Sequence, residues 1–160
     1  MTDAATATFD PTRDLVFERR IAATPKQLWA CWTQPALLEQ WFCPKPWRAT
    51  DAEIDARPGG RFNCIIRGPD GEEMPNRGCF LEVVPERRMV WTDAMEEGFR
   101  PRAEPFMSGV ITFEPDGDGT LYRAVVFHAN AETKAKHEAM GFQDGWGAAA
   151  SQLEELAKTV

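Results

Sequence analysis

The sequence predicts an α+β domain in which an antiparallel sheet packs against helices from both ends of the chain. Three observations indicate this class. Apolar and polar residues alternate with a period of two from about Thr50 to His128, turn-forming residues interrupt the alternation, and helical patterns precede and follow it. Short hairpin connections favour an antiparallel meander over parallel units joined by helices. We expect a curved sheet of about six or seven strands, two short helices after strand 1 and a long C-terminal helix.

The first strand and the two short helices come before the long alternating region. Leu15, Phe17 and Ile21 share one face of a segment whose other face is charged, which indicates a half-buried strand. Thr24 then supplies a capping hydroxyl, with proline at the first helical position and Gln27 at the third, as in a capping box. A second proline-initiated helix follows about ten residues later, and further prolines end it.

Turn-forming residues divide the alternating region into strands. Turns are predicted at residues 58–60, 68–71, 85–87 and 116–119, each of which contains Gly, Pro or Asp. The last of them, Asp-Gly-Asp-Gly, also resembles the start of a calcium loop. The acidic residue that such a loop carries at its twelfth position would fall at Phe127, so we expect a hairpin turn instead.

The final segment has the pattern of one long helix. Asn130 is a suitable N-cap, and apolar residues then recur every three or four positions up to Val160. Gly141, Gly145 and Gly147 lie inside this apolar seam, where each glycine costs about 1 kcal/mol relative to alanine. They would be explained either by space for a ligand or, alternatively, by close packing of the helix on the sheet around Trp146 or a kink in the helix. Both explanations predict that Gly145→Leu harms the protein.

Composition and charge limit the classes of function. A chain of 160 residues allows one domain, which we expect at residues 13–160 after a disordered leader at residues 1–12. With 18 basic and 25 acidic residues the net charge is −7, which disfavours nucleic acid as a partner. The apolar runs are much shorter than the roughly 20 residues of a membrane span. The N-terminus has no signal-peptide pattern, so we expect a cytoplasmic protein.

The cysteines and histidines predict neither a disulfide framework nor a metal site. No two of the four cysteines have the C-x-x-C spacing, so we expect small buried hydrophobic residues or free thiols. His128 and His137 do not have the spacing of a two-histidine zinc site on a helix. We therefore expect no metal and no cofactor.

An ordered set of short segments resembles a known family. The segments are ATP at 23–25, LW at 28–29, WT at 32–33, PALLEQWFCP at 35–44, DARPGGRF at 55–62, GCFLEVVP at 78–85, VWT at 90–92, TFE at 112–114, GT at 119–120 and GW at 145–146. In this order they resemble the bacterial relatives of the activator of the ninety-kilodalton heat shock protein's ATPase. That family lies within the START-like (SRPBCC), birch-pollen-allergen-like superfamily, and the resemblance runs from about residue 14 to the end.

The resemblance implies a fold more firmly than a function. It implies a helix-grip fold, in which the sheet wraps the C-terminal helix, the two short helices close one end and an apolar cavity lies between them. Members of the family include ligand carriers, cyclase-like enzymes, a cochaperone domain and proteins without an assigned activity. Fold alone is a weak guide to function, and no catalytic motif transfers to this chain.

The parity of the strands predicts which residues line the concave face of the sheet. Arg19, Tyr122 and His128 are its informative polar members, because a buried polar group needs a partner. The first and last strands are neighbours in this fold, so we expect these three side chains near one wall, orienting a carboxylate or carbonyl ligand. The candidate ligand-binding residues are Arg19, Trp41, Phe62, Cys64, Trp91, Met107, Tyr122, His128, Phe142 and Trp146.

The hypothesis that follows is a non-enzymatic protein that binds a hydrophobic or aromatic small molecule, with a stress-related or regulatory accessory role. We assign no catalytic residue. One alternative is a cyclase-like or hydrolase-like enzyme that uses His128 and Tyr122. Another is a cochaperone-like interaction module, disfavoured because the eukaryotic activator has an additional N-terminal domain that we expect this chain to lack. Homodimerisation also stays open.

Overall fold

The structure is a computed structural model that describes residues 9–160. Most of the leader expected at residues 1–12 lies outside the described residues. In its described end, the backbone N–H of Asp10 donates to Asp14 at 2.9 Å, and Asp10 in turn accepts from Thr12. The boundary between leader and domain stays a prediction.

One antiparallel sheet of seven strands forms the body of the fold. In chain order the strands, including a separate two-stranded ribbon, are β1 (Leu15–Ile21), β2 (Arg48–Ile54), β3 (Arg61–Arg67), β4 (Glu73–Val84), β5 (Arg88–Thr92), β6 (Met95–Glu96), β7 (Arg100–Pro101), β8 (Ser108–Asp116) and β9 (Gly119–Phe127). The order across the sheet is β1-β9-β8-β5-β4-β3-β2, and β6 pairs with β7. The predicted sheet is confirmed, and the ribbon is an additional element between β5 and β8.

Four helices accompany the sheet within the described part of the chain. They are α1 (Pro25–Thr33), α2 (Pro35–Leu38), α3 (Ala131–Ala139) and α4 (Phe142–Ala157). The capping box at the start of α1 is confirmed, since Gln27 N donates to Thr24 Oγ1 at 3.2 Å and Thr24 N donates to Gln27 Oε1 at 2.8 Å. The curled sheet with a C-terminal helix confirms the helix-grip α+β fold. Within residues 9–160, no helix has the length and apolar content that crossing a membrane would require.

The turn between β8 and β9 is a two-residue hairpin, as predicted. Asp116 pairs with Gly119 across it. Arg20 of the neighbouring β1 lies 3.0 Å from the Asp116 carboxylate and 3.1 Å from that of Asp118. Both acidic side chains of the turn therefore form ion pairs with an arginine on the adjacent strand.

The predicted long C-terminal helix is confirmed as α4, but the expectation that it runs unbroken from Asn130 is wrong, because the segment is divided into α3 and α4. Gly141 separates them with a φ of 86°, a left-handed conformation that L side chains rarely adopt. The apolar spacing continues across the break, so the sequence pattern did not reveal it. Gly141 is thus required by backbone conformation and is not an interior helix position. The predicted N-cap is confirmed, since Asn130 Oδ1 accepts from Thr133 N at 2.9 Å.

The two remaining glycines have different surroundings. A Cβ at Gly145 would meet no heavy atom within 4 Å, whereas a Cβ at Gly147 would lie 3.2 Å from Arg19 Nη2. Close packing therefore does not explain Gly145, and the expected harm of Gly145→Leu stays a prediction.

We expect Gly145→Ala to raise the free energy of unfolding by about 1 kcal/mol, because alanine has the higher helix propensity and nothing crowds it here. Chemical denaturation measures the change. Gly147→Ala is the matched control on the same helix. Its gain in unfolding free energy should be smaller, because the new Cβ would displace the Arg19 guanidinium. A destabilised Gly145→Ala variant would contradict the open surroundings of this residue.

Candidate functional site

Six aromatic side chains form a continuous group on the concave side of the sheet, which we call the concave aromatic cluster. Its members are Trp32 of α1, Trp41 and Phe42 after α2, Phe62 of β3, Phe80 of β4 and Trp91 of β5. The Trp32 and Trp41 ring centroids lie 5.1 Å apart, and the Phe62 ring stacks on Phe80 at 5.2 Å. Edge-to-face and offset contacts of this kind stabilise more than the buried area alone.

The three indole N–H groups of the concave aromatic cluster differ in their partners. Trp32 Nε1 donates to Tyr122 Oη at 3.2 Å, and Trp41 Nε1 donates to the carbonyl oxygen of Cys31 at 2.9 Å. Trp91 is only 5% exposed. Its Nε1 is the one buried side-chain nitrogen or oxygen among the described residues that has no hydrogen-bond partner. A buried donor left without a partner costs about 1–3 kcal/mol, so this group calls for an explanation.

The position of the Trp91 ring depends on a glycine of the next strand. Gly109 of β8 is the cross-strand partner of Trp91 of β5. A Cβ at Gly109 would lie 2.6 Å from Trp91 Cζ2, closer than carbon atoms approach without displacement. Glycine in a strand interior often marks such a close approach. The absence of a side chain at Gly109 therefore lets the indole ring lie against the sheet.

Tyr122 and Arg19 face each other across β1 and β9 but have different partners. Tyr122 is fully buried, its hydroxyl accepts from Trp32, and burial raises the pKa of its phenol. Arg19 Nη1 donates to the carbonyl oxygen of Gly147 at 3.1 Å and to Ser151 Oγ at 2.9 Å. Both side chains thus connect the sheet to helices.

His128 lies at the far end of β9 and pairs with the other histidine of the chain. Its Nδ1 is 2.8 Å from the carbonyl oxygen of Arg13, and its Nε2 is 2.9 Å from His137 Nδ1. A carbonyl only accepts, so His128 Nδ1 carries the proton and His137 Nδ1 donates to His128 Nε2. His128 lies six positions after Tyr122, which corresponds to about 20 Å along the direction of β9. The expected convergence of Arg19, Tyr122 and His128 is therefore wrong.

His137 lies in an apolar setting between two phenylalanines. Its ring centroid is 4.9 Å from that of Phe106 and 5.0 Å from that of Phe142. Burial, and to a lesser extent the neighbouring His128, lower its pKa from 6.5 to about 4. At neutral pH this histidine is uncharged.

The other candidate ligand-binding residues lie in three places. Phe142 and Trp146 form a ring pair at the start of α4, 5.6 Å apart, and Met107 packs against the main core from the start of β8. Cys64 belongs to a separate apolar group with Cys43. Burial raises the pKa of these two thiols, to about 12 and about 11 respectively, so neither is an activated nucleophile.

None of three surface depressions formed by residues 9–160 is lined by Trp91. The first, of about 570 Å³, lies over β5, β8 and β9 and includes Arg88 and Arg123. The second, of about 320 Å³, follows β2, β3 and β4, and the third, of about 200 Å³, lies beside Phe142 where α3 meets α4. Neighbouring rings of the concave aromatic cluster are in contact, with centroids 5.1 to 6.1 Å apart.

Comparison with known proteins identifies the family. The family model described as Activator of Hsp90 ATPase homolog 1-like protein matches residues 22–158. The chain belongs to this family. A search of curated proteins found no match for the sequence.

Solved structures from several bacteria share the fold of this Activator of Hsp90 ATPase homolog 1-like chain. A protein from Nitrosomonas europaea is 42% identical over 94% of this chain and 97% of its own, with a TM-score of 0.91. A protein from Mycobacterium smegmatis is 28% identical over 91% of both chains, with a TM-score of 0.77. An AHSA1-like protein from Aeromonas hydrophila, 18% identical over 91% of this chain and 92% of its own, shows the fold alone, with a TM-score of 0.70.

Within this family member, sequence reasoning selected some residues of the concave aromatic cluster and missed others. It selected Trp41, Phe62 and Trp91 as site residues but not Trp32, Phe42 or Phe80, and outside the cluster it did not select His137. Strand parity did not mark Phe80, because Gly78, Cys79 and Phe80 are buried in succession next to a register shift of β4. The role of His137 had no sequence signal either, because it depends on how α3 folds back over the end of β9.

Proposed function

We propose that this protein binds a hydrophobic or aromatic small molecule at the concave aromatic cluster, with Trp91 as the polar contact. The observation that carries the proposal is the buried Trp91 Nε1–H without a partner, placed among aromatic rings. Sites for small molecules are mostly apolar and aromatic, with a few polar groups that orient the ligand. A ligand acceptor bonded to this N–H would remove the cost of the unpaired donor.

The partners of the other polar groups support binding rather than catalysis. Tyr122 and His128, the residues of the enzyme alternative, are both engaged in hydrogen bonds to protein groups. The four cysteines are buried free thiols, which fits the cytoplasmic location that we also propose. We propose no catalytic residue and no cofactor.

Access to the cluster requires side chains to move, because its rings are in contact. The half-buried residues packed around the core are the candidates for this movement, and they include Trp29, Met107 and Trp146. Met107 is the most adaptable of these, because a thioether side chain fits irregular spaces at low cost.

Small aromatic probes test the proposal. We expect bicyclic probes such as indane and 1-indanone to raise the melting temperature, because a ligand that binds only the folded state stabilises it. The site is checked by the indole N–H signals of the six tryptophans in nuclear magnetic resonance spectra. Those of Trp32, Trp41 and Trp91 should shift on titration.

Trp47 is the internal control, because it packs with the separate group around Cys43 and Ala49. Its indole signal should move least of the compared tryptophans. If no probe raises the melting temperature, or if the signals of Trp91 and its neighbours stay unchanged at saturation, the proposed function is wrong.

A further inference from the structure

We propose that the ligand carries a neutral carbonyl oxygen, as in an aromatic ketone, and that this oxygen accepts a hydrogen bond from Trp91 Nε1. This inference rests on the proposed function and adds the chemical class of the ligand.

The direction of the hydrogen bond follows from the chemistry of indole. An indole N–H donates and has no acceptor capacity, so only an acceptor atom of the ligand satisfies it. The neighbouring indoles of Trp32 and Trp41 already donate to an oxygen of the protein. The concave aromatic cluster therefore has one donor to offer a ligand, and a hydrocarbon would leave it unpaired.

The charge of the acceptor follows from the residues around Trp91. Its ring lies edge to face with Phe62 at 5.7 Å, and its cross-strand partners are Phe80 and Gly109. A buried carboxylate without a positive partner is strongly disfavoured. Two residues along the chain, on the same face by strand parity, stands an acid, Asp93, whose carboxylate accepts from Phe106 N and Met107 N. The nearby Arg102 donates to the Asp93 carbonyl oxygen at 3.1 Å and is therefore already beside this acid.

Arg19 does not supply the missing positive charge at Trp91. Its guanidinium is held at α4 by Gly147 and Ser151 and lies over the Phe17 ring. It therefore belongs to the β1 edge of the sheet, three strands away from β5 in the order of the sheet. The carboxylate ligand considered from the sequence is thus disfavoured, and the carbonyl ligand is favoured.

The experiment compares 1-indanone with indane, which share a bicyclic shape and differ in the ketone oxygen. We expect wild-type protein to bind 1-indanone about tenfold more tightly than indane, because a hydrogen bond to a buried donor contributes about this much to affinity. The Trp91 Nε1–H proton signal should move downfield with 1-indanone and not with indane. Indane-1-carboxylate, the anionic probe, should bind more weakly than 1-indanone.

The variant Trp91→Phe keeps an aromatic ring and removes the N–H. We expect the ratio of its affinities for 1-indanone and indane to fall to about one, because the donor that distinguishes the two probes is gone. If Trp91→Phe does not fold, the wild-type proton signal alone decides the question. The inference is overturned if both probes bind wild type equally, or if the carboxylate binds most tightly. Those results leave the proposed function standing, whereas binding of none of the probes would overturn both.

Discussion

Lowering the pH from 6.5 to 4 is expected to reduce the free energy of unfolding by about 3 kcal/mol through His137 alone. The pKa of His137 is about 4 in the folded protein and 6.5 in an unfolded chain. Between these values the unfolded chain binds a proton that the folded protein does not. Acid therefore favours unfolding, and the free energy of unfolding falls by about 1.4 kcal/mol for each pH unit. The contribution of uncharged His137 to the free energy of unfolding is complete above pH 6.5 and is lost as the pH falls towards 4.

The surroundings of His137 explain why this side chain resists protonation. His137 packs between Phe106 and Phe142, which offer no counter-charge. The Asp14 carboxylate faces the other histidine, where it accepts from the backbone N–H of His128 and from Asp10 N. On α3 the ammonium group of Lys134 donates to the carbonyl oxygen of Pro11 and lies 3.9 Å from the Glu138 carboxylate.

The measurement is chemical denaturation of wild type and His137→Asn at several pH values between 7 and 4. The asparagine amide can replace His137 Nδ1 as donor to His128 but does not titrate. We expect the stability of wild type to fall more steeply than that of His137→Asn, and the difference isolates this group from the carboxylates that also titrate. Equal slopes for the two proteins would show that His137 does not carry the predicted shift.

The sequence predicted most of the fold because its signals are local. Alternation with a period of two marked the strands, and Thr24 with Gln27 marked the start of α1. The break between α3 and α4 was missed because the apolar spacing continues across Gly141, and glycine alone does not distinguish a left-handed residue from an interior one. Whether a glycine has positive φ depends on the tertiary packing of the segments on either side.

The candidate site was predicted less completely, because partners in space decide it. Parity placed Trp91 and Phe62 on the concave face, since alternate residues of a strand face the same side. Parity does not give the position along a strand, so Tyr122 and His128 were wrongly expected together. The indole N–H of Trp32 has an acceptor and that of Trp91 has none. This difference depends on which side chains the neighbouring strands and helices place beside each ring. Sequence spacing contains no information on that.

Replacing Trp32 with alanine is expected to cost about 3–5 kcal/mol of unfolding free energy, because the side chain is only 1% exposed and lies at the centre of the concave aromatic cluster. Its ring contacts Trp41, Phe42 and Phe62 at centroid distances of 5.1, 6.0 and 6.1 Å. The loss of the ring would leave a cavity between α1 and the sheet that the rigid neighbouring rings fill only in part. Urea denaturation at neutral pH measures the change.

Tyr122→Phe separates the hydrogen bond of Trp32 from its packing. This variant keeps the ring of residue 122 but leaves Trp32 Nε1 buried without an acceptor, so we expect a loss of about 1–3 kcal/mol. Trp32→Phe removes the donor, and in the double variant no donor is left unpaired. The double variant should therefore be less destabilised than the sum of the two single variants. Additive losses would show that the Trp32–Tyr122 hydrogen bond does not couple α1 to β9.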